Sequence, residues 1–272
     1  MIRRGIGVQS FVSAGGGGTD ADAQAFITAA EITDATQQSA INTLVTDLKG
    51  YGIWTKMKAV YPFVGGTSST HKWNLKDPRD LDAAFRLVFS GGWTHSSTGA
   101  LPNGTNGYAD TKLNPSSILT QNSTHLATYL RTDTNGLHMD IGASTNTTSS
   151  SILIYGRFSG NSIADTGYYL TSRISVAVAN SLGLYTIKRT ANNNLKLFKN
   201  GSEIGNNTTT DNTLLPNSTT YISAINDGTG ALSQFSNRQV AFASIGDGLT
   251  DTEAANLYTA VQAYQTTLSR NV

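Results

Sequence analysis

The carboxylates are the side chains of this sequence that could do catalytic chemistry, and their positions predict no catalytic pair. Hydrolysis of a glycosidic bond needs two carboxyl groups roughly 5–10 Å apart, one as the acid and one as the nucleophile or base. The glutamates fall in an N-terminal helical region (Glu31), in a predicted turn (Glu203) and at a predicted helix start (Glu253). A pair of aspartates is left as the alternative. We therefore expect a protein that is not an enzyme.

The histidines and aspartates predict no metal site and no cofactor. Two imidazoles share a helix face at i, i+4 spacing, and the histidines of this chain do not have it. These are His71, His95, His125 and His138. Calcium is the alternative, because carboxylates and backbone carbonyls bind it and several aspartates lie near predicted turns. These are Asp133, Asp140, Asp165, Asp227 and Asp247. The turn preference of aspartate accounts for their positions without an ion.

Aromatic side chains are the residues that could bind a sugar or another protein, since an indole can stack on a sugar face or fill a core. Trp54 lies beside a strand pattern of core type, so we assign it to the core. Trp73 and Trp93 flank glycine-rich turns, and Tyr108 lies in the same glycine- and asparagine-rich stretch as Trp93. Because aromatic residues are enriched at interfaces, Trp73, Trp93 and Tyr108 are the predicted contact residues.

The charge of the chain excludes two classes of partner. The net charge is +1, whereas nucleic acids and anionic membranes need clustered Lys and Arg. No segment approaches the roughly 20 apolar residues of a transmembrane helix, and the first residues are a poor signal peptide. The chain has no cysteine, so hydrophobic burial rather than disulfides must hold the fold. We expect no nucleic acid partner and no membrane insertion.

Residues 1–18 are predicted to form a flexible N-terminal arm. The glycines at 15–18 make a hinge, and Arg3, Arg4 and Phe11 before them supply charge and apolar groups. Such a hinge holds the arm weakly on its own domain, while an extended strand gains hydrogen bonds by adding to a sheet edge. Arg3, Arg4 and Phe11 are therefore predicted contact residues toward a neighbouring subunit.

Helices are predicted at both ends of the remaining chain. In residues 19–50, Asp20 or Asp22 can cap a short helix and Thr33 a second one, which ends at Gly50. Residues 51–272 form the main domain, which closes with a helix over residues 250–269. That helix starts with a capping box, since Glu253 follows three residues after Thr250.

Between these helices the pattern predicts an antiparallel β-sandwich. Period-two alternation over 53–61 and an apolar run over 83–89 predict two strands of one sheet, and 93–110 reads as a long contact loop. Short strands then recur with polar turns between them, which favours a sandwich over a parallel sheet. They are predicted at 125–131, 137–143, 150–158, around 167–170, and at 174–179, 182–190, 195–201 and 219–225.

Two sequence features resemble known families. The strand–turn–strand LYTIKRTANNNLKLFKNGSEIG resembles the concanavalin A-like, or laminin-G-like, jelly rolls. Residues 50–111 together with the ending SIGDGLTDTEAANLYTAVQAYQTTLSRNV look like structural proteins of tailed bacteriophages. The second resemblance implies a place in the virion, as a capsid decoration protein, head fibre, or tail or fibre component. The E-x-D-x-x-E pattern of jelly-roll glucanases is missing from the sequence.

These observations support three hypotheses in order. The first is a non-enzymatic structural protein of a phage particle, which contacts other virion proteins and forms a homo-oligomer there. The alternative is a carbohydrate-binding module that attaches the particle to host surface glycans through Trp73, Trp93 or Tyr108. A glycan-degrading enzyme is the third.

Overall fold

Strands form most of the protein in a computed structural model, which describes residues 18–145 and 149–272. Numbered along the chain, the first eight strands are β1 (Met57–Tyr61), β2 (Val88–Ser90), β3 (Trp93–Ser96), β4 (Gly99–Pro102), β5 (Tyr108–Asp110), β6 (Thr124–Leu130), β7 (Ile141–Thr145) and β8 (Ser150–Phe158). The others are β9 (Asn161–Tyr168), β10 (Ile174–Ala177), β11 (Gly183–Ala191), β12 (Asn194–Lys199), β13 (Ser202–Asn207), β14 (Tyr221–Ile222), β15 (Ile225–Asn226), β16 (Leu232–Ser233) and β17 (Val240–Gly246).

The strands make two large antiparallel sheets and one small hairpin. An eight-stranded sheet has the order β13-β12-β11-β6-β17-β4-β3, with β1 also paired to β17. A seven-stranded sheet has the order β10-β9-β8-β7-β14-β5-β2, and β15 pairs with β16 alone. Apolar side chains from the inner faces of both large sheets form one buried cluster, including Leu126, Ile187, Ile152 and Ile154. The predicted jelly-roll β-sandwich is confirmed.

Five helices lie among the described residues, namely α1 (Ala21–Ala29), α2 (Ala35–Gly50), α3 (Ser68–His71), α4 (Pro115–Ile118) and α5 (Asp251–Thr267). The capping box of α5 is confirmed, since Thr250 N donates to Glu253 Oε2 at 2.7 Å and Glu253 N to Thr250 Oγ1 at 3.2 Å. Asp20 caps α1, as predicted. Asp34 rather than Thr33 caps α2, because its carboxylate reaches the N–H of Gln37. None of the helices described in this chain is long and apolar enough to cross a bilayer.

Three of these helices cover the outer face of the eight-stranded sheet. Phe26 of α1, Leu44 of α2 and Leu257 of α5 pack in one cluster with Tyr129 of β6 and Phe242 of β17. Alternate residues of β6 and β17 point inward to the sandwich, as the period of two in a strand requires. The sheet is therefore buried on both faces.

The predicted strands at 53–61 and 83–89 are partly wrong. Residues 54–56 form a 3₁₀ turn instead, and Ile53 and Trp54 are buried in the same cluster as the apolar residues of α2. Residues 82–84 form another such turn, and the chain then passes Phe85 at a φ of 59° before β2 starts at Val88. The two strands also lie in different sheets, since β1 pairs with β17 and β2 with β5. Burial of Trp54 in the core is confirmed.

The long loop predicted at 93–110 is wrong as well. Three short strands, β3, β4 and β5, occupy most of it. Its asparagines and glycines form the tight turns between them: the side-chain carbonyl of Asn103 accepts from the backbone N–H groups of residues 105–107. Such Asx turns explain the composition without a loose loop.

Several other predicted boundaries also shift. The strand at 137–143 begins only at Ile141, and that around 167–170 ends at Tyr168. The strand at 219–225 is split into β14 and β15, because Ser223 adopts a φ of 71° that interrupts the ladder. Glu203 lies in β13, one residue beyond the turn predicted for it.

Candidate functional site

A groove of about 460 Å³ lies on the seven-stranded sheet. This volume lies within the range of roughly 300–1,000 Å³ that small-molecule sites occupy. Its lining mixes hydroxyl, aromatic, apolar and cationic side chains. They are Leu137, Ser144, Thr145, Ser149, Ser150, Ser151, Leu153, Tyr155, Phe158, Ile163, Tyr169, Arg173, Ile225 and Gln234. We call this surface the groove.

The alternation of β8 builds the floor of the groove. Ile152 and Ile154 point into the sandwich, so Ser151, Leu153 and Tyr155 point to the outer face. A small apolar cluster forms there, in which Leu153 and Tyr155 pack with Met139 and Ile225. The β15–β16 hairpin thus covers part of this face, and the remaining part is open.

An ion pair lies at the other side of the floor. Asp165 of β9 is opposite Leu153 of β8, and Arg173 directly precedes β10, whose first residue Ile174 is opposite Ala164. Arg173 Nε lies 3.3 and 3.2 Å from the two carboxylate oxygens, and its Nη2 lies 2.6 Å from Oδ2. The Asp165 side chain is 0% exposed and that of Arg173 is 37% exposed. Burial raises the pKa of the Asp165 carboxyl, and the hydrogen bonds from Arg173 act in the opposite direction.

Tyr169 forms an aromatic wall next to this pair. The guanidinium carbon of Arg173 lies 5.5 Å from the centroid of the Tyr169 ring, which is cation–π distance. A turn holds the tyrosine, because the carbonyl of Tyr168 accepts from the N–H groups of Thr171 and Ser172 at 3.0 and 2.9 Å. The Tyr169 residue is 38% exposed, so its ring is accessible to a ligand.

Tyr155 and Gln234 provide polar atoms at the hairpin side. The hydroxyl of Tyr155 donates to the side-chain carbonyl of Gln234 in a short contact. Burial raises the pKa of the Tyr155 hydroxyl, so it keeps its proton at neutral pH; that proton goes to Gln234, and the phenol oxygen and the Gln234 amide nitrogen are left to face a ligand. Together with the serines, these groups can exchange hydrogen bonds with a polyhydroxylated ligand.

The groove lacks the groups that glycoside hydrolysis needs. Its lining contains no carboxylate, and the nearby Asp165 is held by Arg173. Hydrolysis would need two carboxyl groups about 5–10 Å apart. Across residues 18–145 and 149–272, no three side chains of His, Asp or Glu come together to hold a metal ion.

The predicted contact residues lie elsewhere. Trp93 and Tyr108 are neighbours, since the indole Nε1 donates to the carbonyls of Ser90 and Tyr108 at 3.1 and 3.2 Å. The Tyr108 ring stacks on Tyr221 at a centroid distance of 5.0 Å. The indole N–H of Trp93 is therefore used inside the protein, while the contact role of both residues stays a prediction.

Trp73 packs against a different part of the molecule from Trp93. It contacts the cluster under the helices, and Lys72 Nζ lies 4.7 Å from its ring centroid. It also lines a cavity of about 200 Å³ beside α1. The remaining candidates, Arg3, Arg4 and Phe11, lie outside the described residues. Trp73, Trp93 and Tyr108 do not line the groove.

A pair of histidines forms a second cluster of titratable groups. His71 Nε2 accepts the N–H of Gly66 at 3.2 Å, so its Nδ1 carries the proton and donates to His95 Nδ1 at 2.9 Å. Burial, the nearby His95 and Arg270 lower the pKa of His71 to about 3. The edges of Phe63 and Phe89 enclose the pair. This cluster packs neutral imidazoles together and is structural.

Comparison with known proteins supports the fold. The sequence matches no protein-family model and no curated protein. The structure is similar to the receptor binding domain of the botulinum neurotoxin C/D mosaic serotype, with a TM-score of 0.51 and 10% identity, over 76% of this chain and 52% of that chain. It is also similar to the binding domain of Paraclostridial Mosquitocidal Protein 1, with a TM-score of 0.50 and 14% identity, over 75% and 52%.

These likenesses concern architecture alone, because the identities are 10% and 14%. The chain spans about half the length of the two solved structures. It shares with those binding domains a β-sandwich of the jelly-roll kind, and the phage resemblance stays a prediction.

Proposed function

We propose that this chain is a non-enzymatic glycan-binding protein and that its groove is the binding site. The observation that carries this proposal is the combination, in one groove, of an accessible tyrosine ring with hydroxyl, amide and guanidinium groups. Sugars present apolar C–H faces and rings of hydroxyls, so an aromatic wall and a polar floor match both parts. A groove lined only by apolar or only by charged side chains would not match both parts of a sugar.

Each part of the groove has a distinct contact to make. The Tyr169 ring stacks on a sugar face, as exposed aromatic rings with an apolar body do. The Tyr155 hydroxyl oxygen accepts hydrogen bonds from the sugar hydroxyls, and the Gln234 amide nitrogen donates to them. Leu153 and Ile163 form the apolar base between them. The groove lies on a rigid sheet, so binding requires little ordering of the protein.

A glycan array followed by titration calorimetry tests this proposal. We expect wild-type protein to bind a set of glycans and Tyr169→Ala to lose about tenfold in affinity, equivalent to ~1.4 kcal/mol. Tyr51→Ala is the matched control, because Tyr51 is 37% exposed and Tyr169 38%, and Tyr51 caps the end of α2 away from the groove. No glycan bound by the wild type, or an equal loss in both variants, would overturn the proposal.

The non-enzymatic part has its own measurement. Bound glycans incubated with the protein should be recovered uncleaved, because the groove lacks a carboxylate pair. Release of shorter products that is abolished by substituting one aspartate would contradict this part.

We further propose that the protein is a structural component of a tailed bacteriophage particle, localised in the virion and in contact with other virion proteins and further copies of itself. The two sequence blocks that resemble phage proteins support it, because they form one structural unit. Strand β1 of the first block pairs with β17, and Lys56 Nζ lies 2.6 Å from Glu253 Oε2. Arg270 donates to the carbonyls of Pro62 and Phe63, both at 2.7 Å.

Purified particles test the virion proposal. Antibodies raised against the recombinant protein should label intact particles, and an image reconstruction should place the sandwich in the capsid, a fibre or the tail. Particles free of the protein would overturn this proposal and leave glycan binding as a separate question.

A further inference from the structure

We propose that the groove selects glycans that carry a carboxylate, such as uronic acids, over their neutral counterparts, and that Arg173 reads this group. This inference rests on the proposed glycan binding and adds the class of ligand to it. Its basis is the arrangement of charge in the groove.

The charge that a ligand meets in the groove is positive. Arg173 and Asp165 form an ion pair, but the carboxylate is 0% exposed while the guanidinium side is 37% exposed. No carboxylate lines the groove. An approaching ligand therefore contacts the guanidinium directly, while the Asp165 carboxylate stays buried behind it.

The guanidinium is held in place with donors left over. Asp165 occupies Nε and one proton of Nη2. No residue in the described ranges accepts from Nη1, so this nitrogen and the second proton of Nη2 are available at the end of the fork. A carboxylate binds two such N–H groups in parallel, and these charge-assisted bonds are stronger than neutral ones.

Tyr169 and Asp165 together fix the orientation of this fork. The Tyr169 ring centroid lies 5.5 Å from the guanidinium carbon, and the Asp165 carboxylate holds the edge formed by Nε and Nη2. A preorganised Arg loses less freedom on binding than a mobile one. A sugar that stacks on Tyr169 would bring an attached carboxylate near the guanidinium, because the two side chains both line the groove and lie 5.5 Å apart from ring centroid to guanidinium carbon.

Matched pairs of sugars test the inference. Methyl glucuronide and methyl glucoside, and likewise methyl galacturonide and methyl galactoside, differ only at C6, where a carboxylate replaces a hydroxymethyl group. We expect the acidic member of at least one pair to bind about tenfold more tightly, with a preference that weakens as salt increases. Arg173→Lys should lose most of the preference, because an ammonium cannot form the bidentate contact.

Two further variants separate recognition from folding. Arg173→Gln leaves Asp165 buried without its partner, so the double variant Arg173→Gln/Asp165→Asn, which removes both charges, is measured beside it. We expect the double variant to keep the fold, judged by its melting curve, and to bind acidic and neutral sugars equally. Arg79→Gln is the control, because Arg79 pairs with Asp77 through the same Nε and Nη2 atoms away from the groove.

The outcomes distinguish the inference from the function beneath it. Equal binding of acidic and neutral sugars by the wild type overturns the carboxylate preference and leaves glycan binding intact. A preference that survives in the folded double variant also overturns the role of Arg173. Failure to bind any sugar of either class overturns the proposed function and this inference with it.

Discussion

The outer faces of the two large sheets differ, because helices bury one of them and the other is partly exposed. On the eight-stranded sheet, α1, α2 and α5 bury an apolar layer that includes Phe26, Leu44 and Leu257. On the seven-stranded sheet, the β15–β16 hairpin packs over a small cluster around Leu153. The first face is therefore core, and the second keeps an accessible surface.

The difference arises from the residues that alternate out of each sheet. Tyr129 and Phe242 point outward from the eight-stranded sheet and need an apolar cover. Asp165 points outward from the seven-stranded sheet and pairs there with Arg173, whose side chain is 37% exposed, and a helix packed over this pair would remove the guanidinium from water. A change on the helical side should therefore alter stability alone, while a change on the groove side can also alter binding.

Arg238→Met should have the largest effect of the variants and should lower both the stability of the protein and its affinity for glycans. Arg238 is fully buried, lies 2.8 Å from Asp140, and also donates to carbonyls of the segment 134–138 that carries the groove residue Leu137. Removing one partner of a buried pair costs ~3–5 kcal/mol. Urea denaturation should show this loss in the free energy of unfolding.

Arg79→Met is the control for that variant. Its ion pair with Asp77 is exposed, and such pairs contribute about 0–1 kcal/mol. If Arg238→Met were no more destabilising than Arg79→Met, the buried pair would not anchor this side of the protein.

Leu44→Ala should destabilise the helical side and leave the groove unchanged. Leu44 is 0% exposed in the layer under the helices, and a Leu→Ala change in a core costs ~2–5 kcal/mol. The glycan Kd, measured well below the melting temperature, should stay that of the wild type. Thr43→Ala, on the exposed side of the same helix, should change the unfolding free energy by less than about 0.5 kcal/mol. A shifted Kd in Leu44→Ala would link the two faces.

Local patterns in the sequence predict the helical side well. The capping box and the apolar spacing of α5 depend on residues within one helix, as does the stripe of α2 that begins at Ala40. The hairpin of β12 and β13 follows from Asn200-Gly201, which take φ angles of 49° and 75° in its turn as a type I′ turn requires. Where the local pattern was ambiguous, at Ile53 and Trp54, burial with the apolar residues of α2 decided the outcome.

The groove could not be predicted in the same way. Its parts come from residues 137–234 and meet only through the sheet register, which pairs Leu153 with Asp165. Alternation in SSILIYGRF does place Ser151 and Tyr155 on one face of a strand. Nothing local indicates that Arg173 lies over Asp165, since the residues between them include a turn. Aromatic composition instead favoured Trp73 and Trp93, whose rings are partly buried in the protein.

Mild acid should lower the stability of the protein and leave glycan binding unchanged, and we expect this effect to be the smallest for each group. Burial lowers the pKa of His71 to about 3 and that of His125 to about 4, against roughly 6.5 in an unfolded chain. A group whose folded pKa is depressed contributes its full stability above the unfolded pKa, and this contribution is lost as pH falls toward the folded one. Each histidine should therefore remove ~1.4 kcal/mol per pH unit below about 6.5, or ~2 kcal/mol by pH 5.

Burial is the cause of the low pKa of His125, and its hydrogen bond to the Asp247 carbonyl acts in the opposite direction. Its Nδ1 donates to the carbonyl of Asp247 at 2.7 Å, and its Nε2 accepts from the Ser244 hydroxyl at 3.2 Å. Urea denaturation from pH 7.5 to 5 should show a declining free energy of unfolding, with a shallower decline in His125→Gln and in His71→Gln. The groove has no histidine in its lining, so the glycan Kd of the folded protein should stay constant over the same range. A flat stability profile, or a Kd that follows the stability, would show that the buried histidines do not separate structure from binding as we infer.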